Sequence, residues 1–159
     1  MPVVVHPSPP VWNEDCKLLI LGSFPSVKSR EGMFFYHHPQ NRFWKTIAAV
    51  YGVSVPETVE EKKSFLLSNG IALWDCIGSC EIIGSDDSTI RNVQPNDIAG
   101  LLQKTKIRDV FCNGSTAYNC YCRHILPQTG IPARKLPSTS PANASWSLER
   151  LTEAWSAVK

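Results

Sequence analysis

Short buried-strand signals, spaced by helical patterns, constrain this chain more than any other feature. KLLILG at 17–22 is a continuous apolar run closed by Gly22, the pattern of a strand buried on both faces. GIALWD at 70–75 repeats it, RDVFCNG at 108–114 reads as a third strand ending at Gly114, and ARKLP at 133–137 as a fourth. Between the first two, residues 40–51 set Phe43, Trp44, Ile47, Ala48 and Tyr51 on one helical stripe, with Pro39 near its first turn. Thr58 and Glu61 form a capping box for a helix through Leu67 that stops near Gly70. Residues 97–104 predict a short helix bearing Ile98, Leu101 and Leu102, and Ser115 a cap for a helix to about Leu126. The last helix spaces Leu148, Leu151, Trp155 and Val158 on one side. Strands alternating with helices predict an α/β fold: three αβα layers with a central four-stranded parallel sheet.

A chain of 159 residues fits one domain, 1–159, with a core large enough to need no disulfide or metal. Residues 1–12 lack periodicity and predict an extended N-terminal arm anchored by Trp12. No run approaches the roughly 20 apolar residues of a membrane span. MPVVVHPSPPVW lacks the basic and apolar regions of a secretory signal. The expectation is a soluble, intracellular monomer without membrane contact, cytoplasmic in a prokaryote or nuclear in a eukaryote.

The six cysteines include Cys76 and Cys80 as C-x3-C and Cys120 and Cys122 as C-x-C, neither with the C-x2-C spacing of common zinc sites. They read as buried reduced thiols, and neither a metal nor a cofactor is expected. The net charge of +2 demands no polyanionic partner. From Lys104 to Lys135, however, six basic residues face one acidic residue, Asp109, which suits a solvated face or a phosphate-facing one.

Ligands of open parallel sheets bind beyond the carboxyl ends of the strands. The loops predicted there are GSFPSVKSR, DCIGSC, NGST and PSTSPANAS, rich in backbone donors and hydroxyls. FFYHHPQNRFWK at 34–45 places Asn41 among aromatics, where an asparagine near a helix start is a cap or a residue with chemistry to do.

GSFPS at 22–26, HPQNRFW at 38–44 and LPSTSPAN at 136–143, in that order, resemble the uracil-DNA glycosylase superfamily, most closely its hypoxanthine-DNA (deoxyinosine) glycosylases. The resemblance runs from about Asn13 to the end. It implies a monofunctional hydrolase that flips a deaminated base out of double-stranded DNA and cleaves its N-glycosidic bond, leaving an abasic site. Two positions depart from the superfamily pattern. Phe24 stands where an Asp or Asn usually positions the attacking water, and a benzyl group cannot. Leu136 stands where a histidine or asparagine usually steadies the departing base.

In the hypoxanthine branch the resemblance moves the catalytic role to Asn41, there to hold the water with backbone carbonyls near Ser23 and Phe24. It makes Tyr36 the stacking ring and Asp75 and Asn113 the readers of the base edge, beside Phe24. An ionised Asp75 only accepts hydrogen bonds, so it suits the N1–H of hypoxanthine and repels the bare N1 of adenine. Ser23, Ser26, Ser138 and Ser140 are the expected phosphate contacts, and Pro141, Ala142 and Asn143 the wedge filling the flipped base's place. The residue types alone also allow core packing for Tyr36, a turn cap for Asp75 and an Asn-Gly turn for Asn113. Uracil carries an imide N–H as well, so uracil removal from double-stranded DNA is the alternative. An inactive DNA-binding module and a small-molecule binder of the same fold are the others.

Overall fold

The structure, a computed structural model, describes residues 3–32 and 34–159. Four parallel strands form the central sheet: β2 (Leu18–Gly22), β3 (Ile71–Asp75), β6 (Asp109–Asn113) and β7 (Ala133–Leu136), in the order β3-β2-β6-β7. Successive side chains of a strand face opposite ways, and both ways are buried in β2, β3 and β6, whereas β7 exposes Arg134 and Lys135. Leu19, Leu21, Ala72, Val110 and Cys112 enter one core cluster, whereas Ile20, Ile71, Leu73 and Phe111 enter the other. That double burial is why these segments read as continuous apolar runs.

On the second face lie α2 (Phe43–Tyr51), α3 (Val59–Ser68) and α7 (Leu148–Trp155), which contribute Phe43, Ile47, Leu66, Leu151 and Trp155. On the first face lie α4 (Ile98–Gln103) and α5 (Ser115–Cys120). A π-helical turn, Tyr121–Ile125, continues α5 into α6 (Leu126–Thr129), so this helical stretch runs beyond the expected Leu126. Its first residue is Ser115, not its cap. Gly114 holds the cap position at φ 91°, a conformation costly for any side chain. Likewise α2 starts at Phe43, so Pro39 belongs to the preceding turn.

Thr58 caps α3 through Oγ1, which accepts from Glu61 N–H (3.0 Å). The Glu61 carboxylate returns to Glu57 N–H (3.1 Å), one residue ahead of the cap. Thr58→Ala should destabilise the fold by about 1 kcal/mol, read as a lower urea midpoint with an unchanged slope.

DCIGSC is not a loop. Ile77–Ile83 forms β4, which pairs antiparallel with β5 (Asp86–Pro95) around a tight turn at Gly84. The irregular register of this hairpin, with shifts at three places, blurs the period-2 pattern that would mark it in the sequence. The third strand of this smaller sheet is β1 (Val3–Val5) on the far edge of β4. The first loop is not all loop either: α1 (Val27–Gly32) takes up the VKSR end of GSFPSVKSR.

The arm is held differently from expectation. Trp12 is 36% exposed, while Val11 is 6% exposed and bridges Leu73 by N–H to carbonyl contacts in both directions (2.9 and 3.0 Å). Val11, buried and bonded to the sheet edge, is therefore the anchor. No helix among the described residues is long and apolar enough to cross a membrane.

Candidate active site

The carboxyl ends of all four parallel strands open into one cavity of about 950 Å³. Strand order reverses on either side of β2, and such a switch leaves a crevice where the following loops diverge. Every site residue expected from the sequence lines this cavity: Phe24, Tyr36, Asn41, Asp75 and Asn113 inside, with Ser23, Ser26, Ser138, Ser140, Pro141, Ala142 and Asn143 around them.

Asn41 sits two residues ahead of α2, whose cap position, Arg42, makes no side-chain capping bond. Asn41 does that work from one residue earlier: its Oδ1 accepts from Phe43 N–H (2.9 Å). The same Oδ1 accepts from Thr139 Oγ1 (2.8 Å). A backbone N–H can only donate, so the atom facing Phe43 is the oxygen and the amide cannot be flipped. Nδ2 is left over, and no hydrogen bond among the described residues occupies it. Asn41 therefore offers the cavity donors, having spent its acceptor inside the protein.

Thr139 is the residue that sequence reasoning missed here. It is fully buried. Its N–H donates to Asn113 Oδ1 (3.0 Å) and its hydroxyl accepts from Asn113 Nδ2 (3.0 Å), then donates its only hydrogen to Asn41. One hydroxyl thus fixes the orientation of two amides from two distant segments. The Thr139 carbonyl accepts from Arg42 N–H (3.0 Å), and the Arg42 guanidinium donates to the carbonyls of Ser140 (3.2 Å), Asn143 (3.0 Å) and Trp146. HPQNRFW and LPSTSPAN are locked into one unit by these bonds. The only trace of this in the sequence is its place: Thr139 lies between the two serines read as phosphate contacts.

Asp75, 4% exposed, ends β3 directly beside Gly22 of β2. A Cβ on Gly22 would lie 2.3 Å from Asp75 Oδ1 and 2.9 Å from the Tyr36 hydroxyl, so only glycine admits both groups. The Tyr36 ring stacks on Phe43 (centroids 4.2 Å, 18° between planes). Its backbone holds φ 53°, a strained value for a tyrosine, and its hydroxyl, like Asp75 Oδ1, crowds Gly22. Burial, and then the Asp75 carboxylate, push the phenol far above its ordinary pKa, so Tyr36 is a permanent O–H. That hydroxyl is buried without a hydrogen-bond partner among the described residues, an unmet donor facing the site.

The serines divide into two kinds. Ser138 and Ser140 use their oxygens to accept N–H groups two residues on (Ser140, 3.1 Å; Ala142, 3.2 Å), which leaves their hydroxyl hydrogens to donate outward. Ser23 and Ser26 are engaged within the protein. Ser23 donates to Asp87 Oδ2 (3.1 Å) at the tip of the β4–β5 hairpin, and Ser26 accepts from Ser29 N–H (3.1 Å) and donates to Ser29 Oγ (3.2 Å) at the start of α1. The Ser23 carbonyl, an expected water contact, already accepts from Ile77 N–H (3.0 Å). Among the wedge residues Pro141 and Ala142 are exposed, whereas the Asn143 amide turns back to the Ser138 carbonyl (3.0 Å). Phe24 and Leu136, 8% and 6% exposed, give the cavity apolar walls where they lack polar atoms.

A family model described as the uracil DNA glycosylase superfamily matches residues 9–159. A hypoxanthine DNA glycosylase of Methanosarcina acetivorans is 36% identical over 152 residues, 94% of each chain. Another of that name, from Methanosarcina barkeri, is 29% identical over 149 residues, 92% of each chain. Among solved structures, the solution NMR structure of a candidate uracil DNA glycosylase from Methanosarcina acetivorans superposes with a TM-score of 0.81 at 36% identity, covering 94% of this chain and 92% of that one.

Proposed function

The chain belongs to the uracil DNA glycosylase superfamily, and from that footing we propose that it is a monofunctional DNA glycosylase that removes hypoxanthine from double-stranded DNA. The observation that carries the reading is the pairing, in one cavity, of an acceptor-only carboxylate with an amide whose donors alone are free. Relatives named for hypoxanthine removal support the choice of base.

A base flipped into the cavity meets Tyr36 and Phe24 as its aromatic surfaces. Asp75 Oδ1 accepts the lactam N1–H of hypoxanthine and repels the N1 lone pair of adenine. As the glycosidic bond lengthens, the sugar gains oxocarbenium character and the departing purine gains negative charge. Asn41 Nδ2–H donates to that charge. This refines the water-holding role read from the sequence: with Oδ1 spent, Asn41 cannot take a proton from water. Ser138 and Ser140 hydroxyls donate to phosphates, and Pro141 and Ala142 at the exposed rim stand where the duplex lost a base.

The test is single-turnover excision from one duplex scaffold carrying inosine, uracil, xanthine or adenine at the same site. Inosine should be cleaved at least about tenfold faster than uracil, whose single ring buries less surface in the cavity, and adenine, which lacks the N–H that Asp75 accepts, should be left intact. Faster uracil removal would reassign the substrate, and no abasic product from any lesion would leave a DNA-binding module only.

A further inference from the structure

His6 lies ahead of the stretch that the superfamily model matches, on the arm, yet its imidazole reaches Asp75, a residue lining the cavity. Its Nε2 stands 2.8 Å from Asp75 Oδ2, with the two side chains 3% and 5% exposed. The other ring nitrogen decides the direction of that bond. Ser8 N–H donates to His6 Nδ1 (3.1 Å), and only a lone pair can receive it. The ring hydrogen is therefore on Nε2, donated to Asp75.

The ring has little freedom. It packs edge-on to Phe24 (6.0 Å) and against Phe35 (5.9 Å), both walls of the cavity, and His6 N–H donates to the Gly78 carbonyl (2.8 Å). No other hydrogen bond among the described residues reaches the carboxylate oxygens of Asp75. Without His6, Oδ2 would lose its only hydrogen-bond partner among the described residues on a side chain 5% exposed, and rotation about the last torsion of an Asp side chain is soft.

We propose that His6 is a positioning residue for base recognition: by holding Asp75 Oδ2 it turns Oδ1 alone toward the cavity, as the acceptor for the ring N–H of a lactam base. The inference rests on the glycosylase reading and deepens it, since it makes the arm part of the base pocket. A bare latch fastening the arm would contribute stability without affecting catalysis. A positioning contact acts after DNA is bound, on the fraction of flipped bases that are correctly held.

The experiment compares wild type, His6→Leu and His6→Gln on the inosine duplex in single turnover, separating the saturated rate from the half-saturating enzyme concentration. His6→Leu keeps bulk and removes the donor, and His6→Gln restores an N–H of similar reach. The saturated rate of His6→Leu should fall about tenfold or more, with half-saturation unchanged within about threefold and His6→Gln recovering most of the loss. A wild-type rate in His6→Leu, a change in half-saturation alone, or equal losses in both variants would overturn the proposal. Should His6→Leu not fold, His6→Asn, too short to reach Asp75, takes its place with the same expected outcomes. Wild type inactive on every lesion defeats the glycosylase reading instead. Long-range 1H–15N NMR reads the contact without catalysis: an Nε2-protonated His6 whose proton signal shifts in Asp75→Asn supports it, and an Nδ1-protonated ring overturns it.

Discussion

Asn41→Ala is expected to lower the single-turnover rate of hypoxanthine excision by on the order of 10²- to 10³-fold, the scale of losing one preorganised donor to developing charge. The loss should appear in the saturated rate, because the donor interacts most strongly once charge has moved onto the base. Asn41→Asp is the sharper variant. It keeps an oxygen for Phe43 N–H and Thr139 Oγ1, so the start of α2 stays capped, but it replaces the free Nδ2 donors with a second acceptor. If Asn41 works by donating, Asn41→Asp is as slow as Asn41→Ala. An aspartate variant that retains wild-type rate would mean that this position orients or deprotonates water, and the assignment would fall. Thermal unfolding of the two variants separates the cap from the chemistry: Asn41→Ala loses roughly 1 kcal/mol of stability and Asn41→Asp loses less.

The second large effect belongs to Thr139→Val. Valine matches threonine in shape, so the substitution removes one hydroxyl and little volume. It leaves Asn113 Nδ2 without an acceptor and Asn41 Oδ1 without its second donor. A buried polar group deprived of its partner costs about 1–3 kcal/mol. Part of that cost appears as lower stability. The rest appears as a saturated rate roughly tenfold to hundredfold lower, because the Asn41 amide is then held by Phe43 N–H alone and its donors lose their fixed aim. Thr139→Ser, which keeps the hydroxyl, should restore the rate to within about threefold. A fully active Thr139→Val, measured beside wild type on the same inosine duplex, would show that the relay merely ties two loops together. The double variant with Asn41→Ala adds a further check. If Thr139 acts through Asn41, the two losses do not add.

The order of strands and helices was legible because burial on both faces of a parallel sheet leaves an unbroken apolar run, as in KLLILG. The β4–β5 hairpin was not, because its register shifts break the alternation that announces an antiparallel strand. The residues around the cavity were legible for a related reason. They fall in short stretches, each carrying its own residue signature: GSFPS and LPSTSPAN at strand ends, HPQNRFW at the start of α2. Strand polarity brings GSFPS and LPSTSPAN to one end of the sheet, whereas HPQNRFW, which lies between α1 and α2, was assigned to the site through the family resemblance.

What the sequence determined by itself was therefore local and periodic: which segments are strands, which faces are apolar, and which polar residues gather at the carboxyl ends. It could not determine the state of those polar residues. That Asn41 shows the cavity donors, that Ser23 is already bonded to Asp87, and that Asp75 shares its carboxylate with His6 are decided by partners 98, 64 and 69 residues away in the chain. A hydrogen bond spans about 3 Å and requires a donor to meet an acceptor. Periodicity brings a residue to the right face, but only the closed tertiary structure brings such partners within reach, and each pairing fixes which atoms remain for a substrate.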